Sequence, residues 1–89
     1  MQMTQEGIGM QRRQESIIYQ LAASDGPLTA EELAKRLLVS IRTIKYEMIE
    51  VKAKLPKVGA ELIAKRNEGY SIRITDRNLF NRYLEPGRM

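Results

Sequence analysis

Two helix-start signals lie close together in this chain, and their spacing constrains the fold more than any other feature. The first is "PLTAEELA", residues 27–34, which contains a T-x-x-E box. There the Thr29 side chain can take an orphan backbone N–H while Glu32 reaches back to the Thr29 backbone. The second is Ser40 in "LVSIRTIKYEM", residues 38–48, a small hydroxyl residue at the head of another helical pattern. A helix opened at Thr29 must therefore finish near residue 37, leaving a link of about three residues before the next begins. So short a link forces a sharp bend. The first of the pair, residues 30–37, turns Leu33, Ala34 and Leu37 inward. The second, about residues 41–55, carries Ile44, Met48, Val51 and Leu55 on one face, and Pro56 marks its end.

The flanking segments complete the pattern. Residues 12–24, "RRQESIIYQLAAS", show an apolar stripe at helical spacing through Ile17, Ile18, Leu21 and Ala22. Asp25, Gly26 and Pro27 stop it. After Gly59 the period changes from helical to alternating: "ELIAKR" and "YSIRIT" flank "NEG", which predicts a β-hairpin with a three-residue loop. Tyr70, Ile72 and Ile74 share one face, with Leu62 and Ala64 as their partners. Asp76 is placed to cap a last helix, "RNLFNRYL", which Glu85-Pro86-Gly87 stops. The order is helix, helix, turn, helix, hairpin, helix. That is an α+β winged helix-turn-helix: a three-helix core, a two-stranded β-hairpin wing and a short C-terminal helix. The expected organisation is a flexible N-terminus over residues 1–11, the winged domain over 12–75, and a C-terminal helix and linker over 76–89.

Composition narrows the function classes. Eighty-nine residues make one small domain with little room for a catalytic cleft. There is no Cys and no His, which removes disulfides, thiolate metal sites and the commonest general base. Ser40 has no His to activate it, Glu31 and Glu32 diverge on a helix, and there is no phosphate-binding glycine loop or metal-ligand cluster. The expectation is no enzyme activity, no catalytic residues, no metal and no cofactor. No apolar run nears the roughly 20 residues that span a bilayer, and "MQMTQEGIGM" is not a signal peptide. No membrane partner is expected, and a cytoplasmic setting fits.

Charge points to a polyanion. The net charge is +4 and the pI about 9.6. Residues 35–73 hold ten Lys and Arg against four Glu, so the excess lies in the middle of the chain. At about 100° per residue, the third helix turns Arg42, Thr43, Lys45 and Tyr46 outward over its first half. That suits a helix entering the major groove by its N-terminal end. Arg pairs bidentately with guanine, Thr bonds a base or touches a thymine methyl, and Lys and Tyr reach phosphate or sugar. The Ser40 backbone and the helix dipole favour a phosphate. Glu47 and Glu50 are expected to repel phosphate further along. Lys65 and Arg66 beside the hairpin loop are candidates for phosphates or the minor groove, with Arg12 and Arg13 as a further phosphate contact. The expected partner is double-stranded DNA.

"SDGPLTAEELAKRLLVSIRTIKYEM" followed by "GAELIAKRNEGYSI" resembles the N-terminal winged helix of bacterial sugar-operon regulators that carry phosphotransferase-system regulation domains. These include mannitol- and lichenan-operon activators, often labelled antiterminators. The resemblance spans about residues 12–74. It implies operator reading by Arg42, Thr43, Lys45 and Tyr46 with Ser40 as cap, and a wing role for Lys65 and Arg66. It also implies a longer full-length protein with regulatory domains, acting as a homodimer. The small β-module of RNA-binding antiterminators is not resembled. Two positions depart from the pattern. Leu38 stands where such turns use Gly, which predicts a turn held by packing of that side chain; Ile41 stands where a polar or basic residue usually opens the reading helix. Ile41 would touch thymine methyls or extend the core face, and the reading load moves to its neighbours. The rival reading is a winged-helix protein-interaction module using Ile41, Ile49 and Ile63.

Overall fold

The computed structural model describes residues 10–84. Its elements run α1 (Arg12–Ala23), α2 (Ala30–Leu37), α3 (Ile41–Lys54), a 3-10 turn (Leu55–Val58), β1 (Ala60–Lys65), β2 (Gly69–Ile74) and α4 (Arg77–Leu84). The chain is an α+β winged helix-turn-helix.

The caps work as their chemistry dictates. Thr29 N–H donates to Glu32 Oε1 at 2.8 Å, and Glu32 N–H donates to Thr29 Oγ1 at 3.0 Å. The first of these bonds holds the Glu32 carboxyl below its ordinary range. Thr43 N–H donates to Ser40 Oγ at 3.0 Å, and Leu79 N–H donates to Asp76 Oδ1 at 3.1 Å. Burial then assembles the core from Ile17, Ile18 and Leu21 on α1, Leu33 and Ala34 on α2, and Ile44, Met48 and Val51 on α3. Leu55, Val58, Ala60 and Phe80 close its lower end. α3 runs to Lys54 and passes straight into the 3-10 turn, with Pro56 inside it; Pro56 ends the α-helix but not the helical path. The buried part of the chain also starts earlier than expected. Met10 is buried and the Gln11 N–H donates to Gln14 Oε1 at 3.1 Å, so both belong to the packed domain; the rest of the expected flexible stretch lies outside the described residues, as does the Glu85-Pro86-Gly87 stop.

The hairpin pairs Ala60 with Ile74, Leu62 with Ile72 and Ala64 with Tyr70, on the shared face read from the alternation. Its loop is Arg66-Asn67-Glu68 rather than Asn67-Glu68-Gly69. Asn67 takes the left-handed conformation at φ 67°, and Gly69 opens β2 at φ 113°. Leu28 explains the shift. It exchanges two backbone bonds with Tyr70, N–H to O at 2.9 and 2.7 Å, as a one-residue third strand. A Cβ on Gly69 would lie 2.4 Å from the Leu28 carbonyl oxygen. Only glycine lets the two backbones approach so closely.

The turn between α2 and α3 corrects one expectation. Leu38 adopts φ 59°, ψ 44°, the left-handed cap that glycine usually fills. Its side chain is 89% exposed, so it does not pack. The turn is held instead by the Leu38 and Val39 N–H groups, both bonded to the Ala34 carbonyl, and by Val39, which packs on the core. Leu38 therefore carries left-handed strain with no compensating burial. Leu38→Gly should stabilise the domain by about 1 kcal/mol, a rise in Tm of roughly 4–8 °C for a domain of this size. Thermal unfolding checks this; an unchanged or lower midpoint would mean that Leu38 makes a stabilising contact.

α4 docks through Phe80, 1% exposed, and Tyr83, whose ring stacks on Tyr19 of α1 at 6.5 Å. Gly59, at φ 87°, lets α4 come this close, since a Cβ there would sit 2.6 Å from the Asp76 carbonyl oxygen. Burial pushes the Tyr83 phenol well above its ordinary value, and its hydroxyl has no partner among the described residues.

Candidate nucleic-acid interface

α3 is fixed by its buried face. Ile44 and Val51 are fully enclosed and Met48 nearly so, and this fixes which residues turn outward. Arg42, Lys45 and Tyr46 are exposed. Tyr46 is 68% exposed and Ile49, one turn on, 67%. Thr43 is only half-buried rather than freely outward, because it is drawn toward the cap: Ser40 Oγ donates to Thr43 Oγ1 at 3.0 Å. With its oxygen accepting from the Thr43 N–H, the Ser40 hydroxyl serves α3 as a cap.

The wing brings Lys65, the last residue of β1, and Arg66, in the loop, to the same side of the molecule as α3. A groove of about 490 Å³ separates the two elements. Ile41 and Lys45 line it from α3, and Ala64, Lys65 and Arg66 from the wing. Thr29, Ala30 and Glu31 at the head of α2 close one end. Arg42 and Tyr46 do not line this groove; they form the outer flank of α3. The sequence-derived residues thus divide into a groove set, Lys45, Lys65 and Arg66, and a flank set, Arg42 and Tyr46.

The carboxylates sit differently from what the angular reading of α3 implies. Glu47 turns toward α1, where Arg13 Nη1 donates to its Oε2 at 3.2 Å and Gln14 Nε2 donates to its Oε1 at 2.9 Å. Its side chain is only 13% exposed. Glu50 pairs with Lys54 at 3.6 Å one turn along. Lys54 also donates to Gln14 Oε1 at 3.1 Å. Glu47 is therefore an inter-helix anchor rather than a repulsive charge on the outer face, and Arg13 is committed to it. Among the described residues, no carboxylate lies within ion-pair distance of Arg42, Lys45, Lys65 or Arg66. Gln14, 3% exposed, is the member of this network that sequence reading missed. Its signal is present: it lies on the stripe of Ile17, Ile18 and Leu21, and a polar residue on a core stripe needs a buried partner.

A family model described as the HTH domain matches residues 13–71, which covers both helices of the bend, the groove and most of the wing. The chain belongs to the HTH domain family. The probable licABCH operon regulator of Bacillus subtilis (strain 168) is 32% identical to this chain over 73 residues, 82% of its length. The chain spans 11% of that regulator's length. Among solved structures, ScpB from Mycobacterium tuberculosis matches with a TM-score of 0.63 over 82% of this chain and 45% of that one. At 21% identity it shares the fold. Among the described residues, no group of three or more His, Cys, Asp or Glu could hold a metal ion, and no helix is long and apolar enough to cross a membrane.

Proposed function

We propose that this HTH domain is the sequence-specific DNA-binding module of a cytoplasmic transcriptional regulator, and that the regulated genes form a carbohydrate operon of the phosphotransferase type. α3 lies in the major groove, with Arg42 and Lys45 as base and phosphate contacts and Tyr46 on the backbone. Lys65 and Arg66 approach phosphates or the adjacent minor groove. Thr43 contributes a hydroxyl and Ser40 holds the helix start. The observation that carries this reading is the sorting of charge: among the described residues Arg42, Lys45, Lys65 and Arg66 have no ion pair, while Glu47 is turned to α1 and Glu50 pairs with Lys54. The operon assignment draws on the relative named as an operon regulator and on the motif resemblance. On the same basis α4 leads toward regulatory domains, and the full-length protein is a homodimer.

The test is a selection from a random duplex library at low salt, followed by single variants. Arg42→Ala should reduce discrimination at one base pair by about 1–3 kcal/mol. Lys65→Ala should weaken all sequences about equally and lower the salt slope by roughly 1. The reading fails if no preferred site emerges and Arg42→Ala changes nothing. A second reading, a protein-interaction module, is favoured by Tyr46 and Ile49, two large apolar side chains more than two-thirds exposed on one face. It loses part of its expected surface, since Ile63 is half-buried. A protein partner would be sensitive to Ile49→Ala.

A further inference from the structure

We propose that Ile41 is a specificity-determining residue that selects a thymine by its methyl group, an inference that rests on the DNA-binding reading above. Ile41 is the first residue of α3, the end that such a helix presents to base edges. It is 41% exposed, so it is not consumed by the core. Its exposed part faces the groove between α3 and the wing.

The composition of that groove limits what it can recognise. Ile41, Ala30 and Ala64 supply an apolar lining, and Lys45, Lys65 and Arg66 supply cations around it; Glu31 is the sole carboxylate among the lining residues. An isoleucine offers no donor or acceptor, so it cannot read the hydrogen-bonding edge of any base. Placed against a bare donor or acceptor it would strip water from that group without replacing the bond, which counts against the other base edges. The one methyl group on the major-groove edge of unmodified DNA is the thymine C5-methyl. The neighbouring cations suit phosphates of the same strand. The side-chain chemistry therefore excludes more than it attracts: A, G and C edges are disfavoured opposite Ile41, and T is accepted.

The experiment uses the preferred duplex from the library selection and replaces each thymine singly with uracil, which removes the methyl and leaves every hydrogen-bonding group in place. With the unaltered protein, one or two positions should lose about fourfold in affinity, the worth of one buried methyl. In Ile41→Ala the same replacements should cost nothing further, whereas Ile41→Val should keep most of the discrimination. Placing 5-methylcytosine at such a position should bind better than cytosine. Circular dichroism of both variants separates loss of contact from loss of fold. The inference is overturned if a preferred site exists but no uracil replacement weakens binding, or if the loss persists unchanged in Ile41→Ala. Absence of any preferred site instead overturns the DNA-binding reading itself.

Discussion

Gly69→Ala should destabilise the domain by about 3 kcal/mol, the largest effect expected of any single methyl added to it. Three consequences combine. At φ 113° a side chain is strained wherever it points, for roughly 1–2 kcal/mol. The added Cβ meets the Leu28 carbonyl oxygen at 2.4 Å, its carbon at 2.5 Å and the Thr29 nitrogen at 2.8 Å. All three are backbone atoms and cannot rotate aside, so Leu28 must part from Tyr70. That breaks two hydrogen bonds, each contributing about 1 kcal/mol, and loosens Leu28, now 4% exposed. A domain of this length has about 4–13 kcal/mol in total, so the loss is a large share. Chemical denaturation measures it. Gly26→Ala is the control, because a Cβ there meets nothing within 4 Å; it should stay within about 0.5 kcal/mol. Equal effects from the two substitutions would mean that Leu28 yields easily and does not lock the wing.

DNA affinity should fall about fortyfold between 50 and 200 mM salt. The figure follows from the three cations assigned to phosphate, Lys45, Lys65 and Arg66, none of them ion-paired among the described residues. Each phosphate neutralised contributes about −0.9 to the slope of log affinity against log salt, so three contacts give roughly −2.7. Had Glu47 faced outward, its charge would have offset one of them. Titrations of a labelled duplex at several salt concentrations give the slope directly. A slope near zero would sink the proposed interface and favour an apolar contact through Tyr46 and Ile49. The double variant Lys65→Ala with Arg66→Ala should flatten the slope by about 2 if both wing residues touch phosphate, and leave it unchanged if they do not.

The architecture was legible because its determinants are local. Thr29, Glu32 and Ser40 announce their helices through bonds to residues three positions away, and the shared face of the hairpin follows from alternation. What escaped reading depends on contacts between distant segments. Gly69 looked like a loop residue, since nothing near it in sequence reveals that Leu28 passes behind it. Glu47 looked like an outward charge, because the angular position on α3 does not show that Arg13 and Gln14 stand opposite. Leu38 was expected to pack, on the premise that left-handed strain must be compensated locally; the turn bears the strain and gains its packing from Val39 instead. At the candidate interface, residue types and exposure were readable for Arg42, Lys45, Tyr46, Lys65 and Arg66. Their division into groove and flank was not, because it depends on where the wing folds back.

Leu28 adds a backbone tie between the wing and the helices. It is bonded through its backbone to Tyr70 in the wing and is followed at once by Thr29, the cap of α2. α2 in turn packs on α3. The distance between the wing and the start of α3 is thus a built-in gauge, set by this backbone tie together with the packing of Leu62, Tyr70 and Ile72 on the core. A nucleic acid seated there would have to do the adjusting. Sequences that narrow or bend at low cost to match the gauge would be preferred even at base pairs no side chain touches.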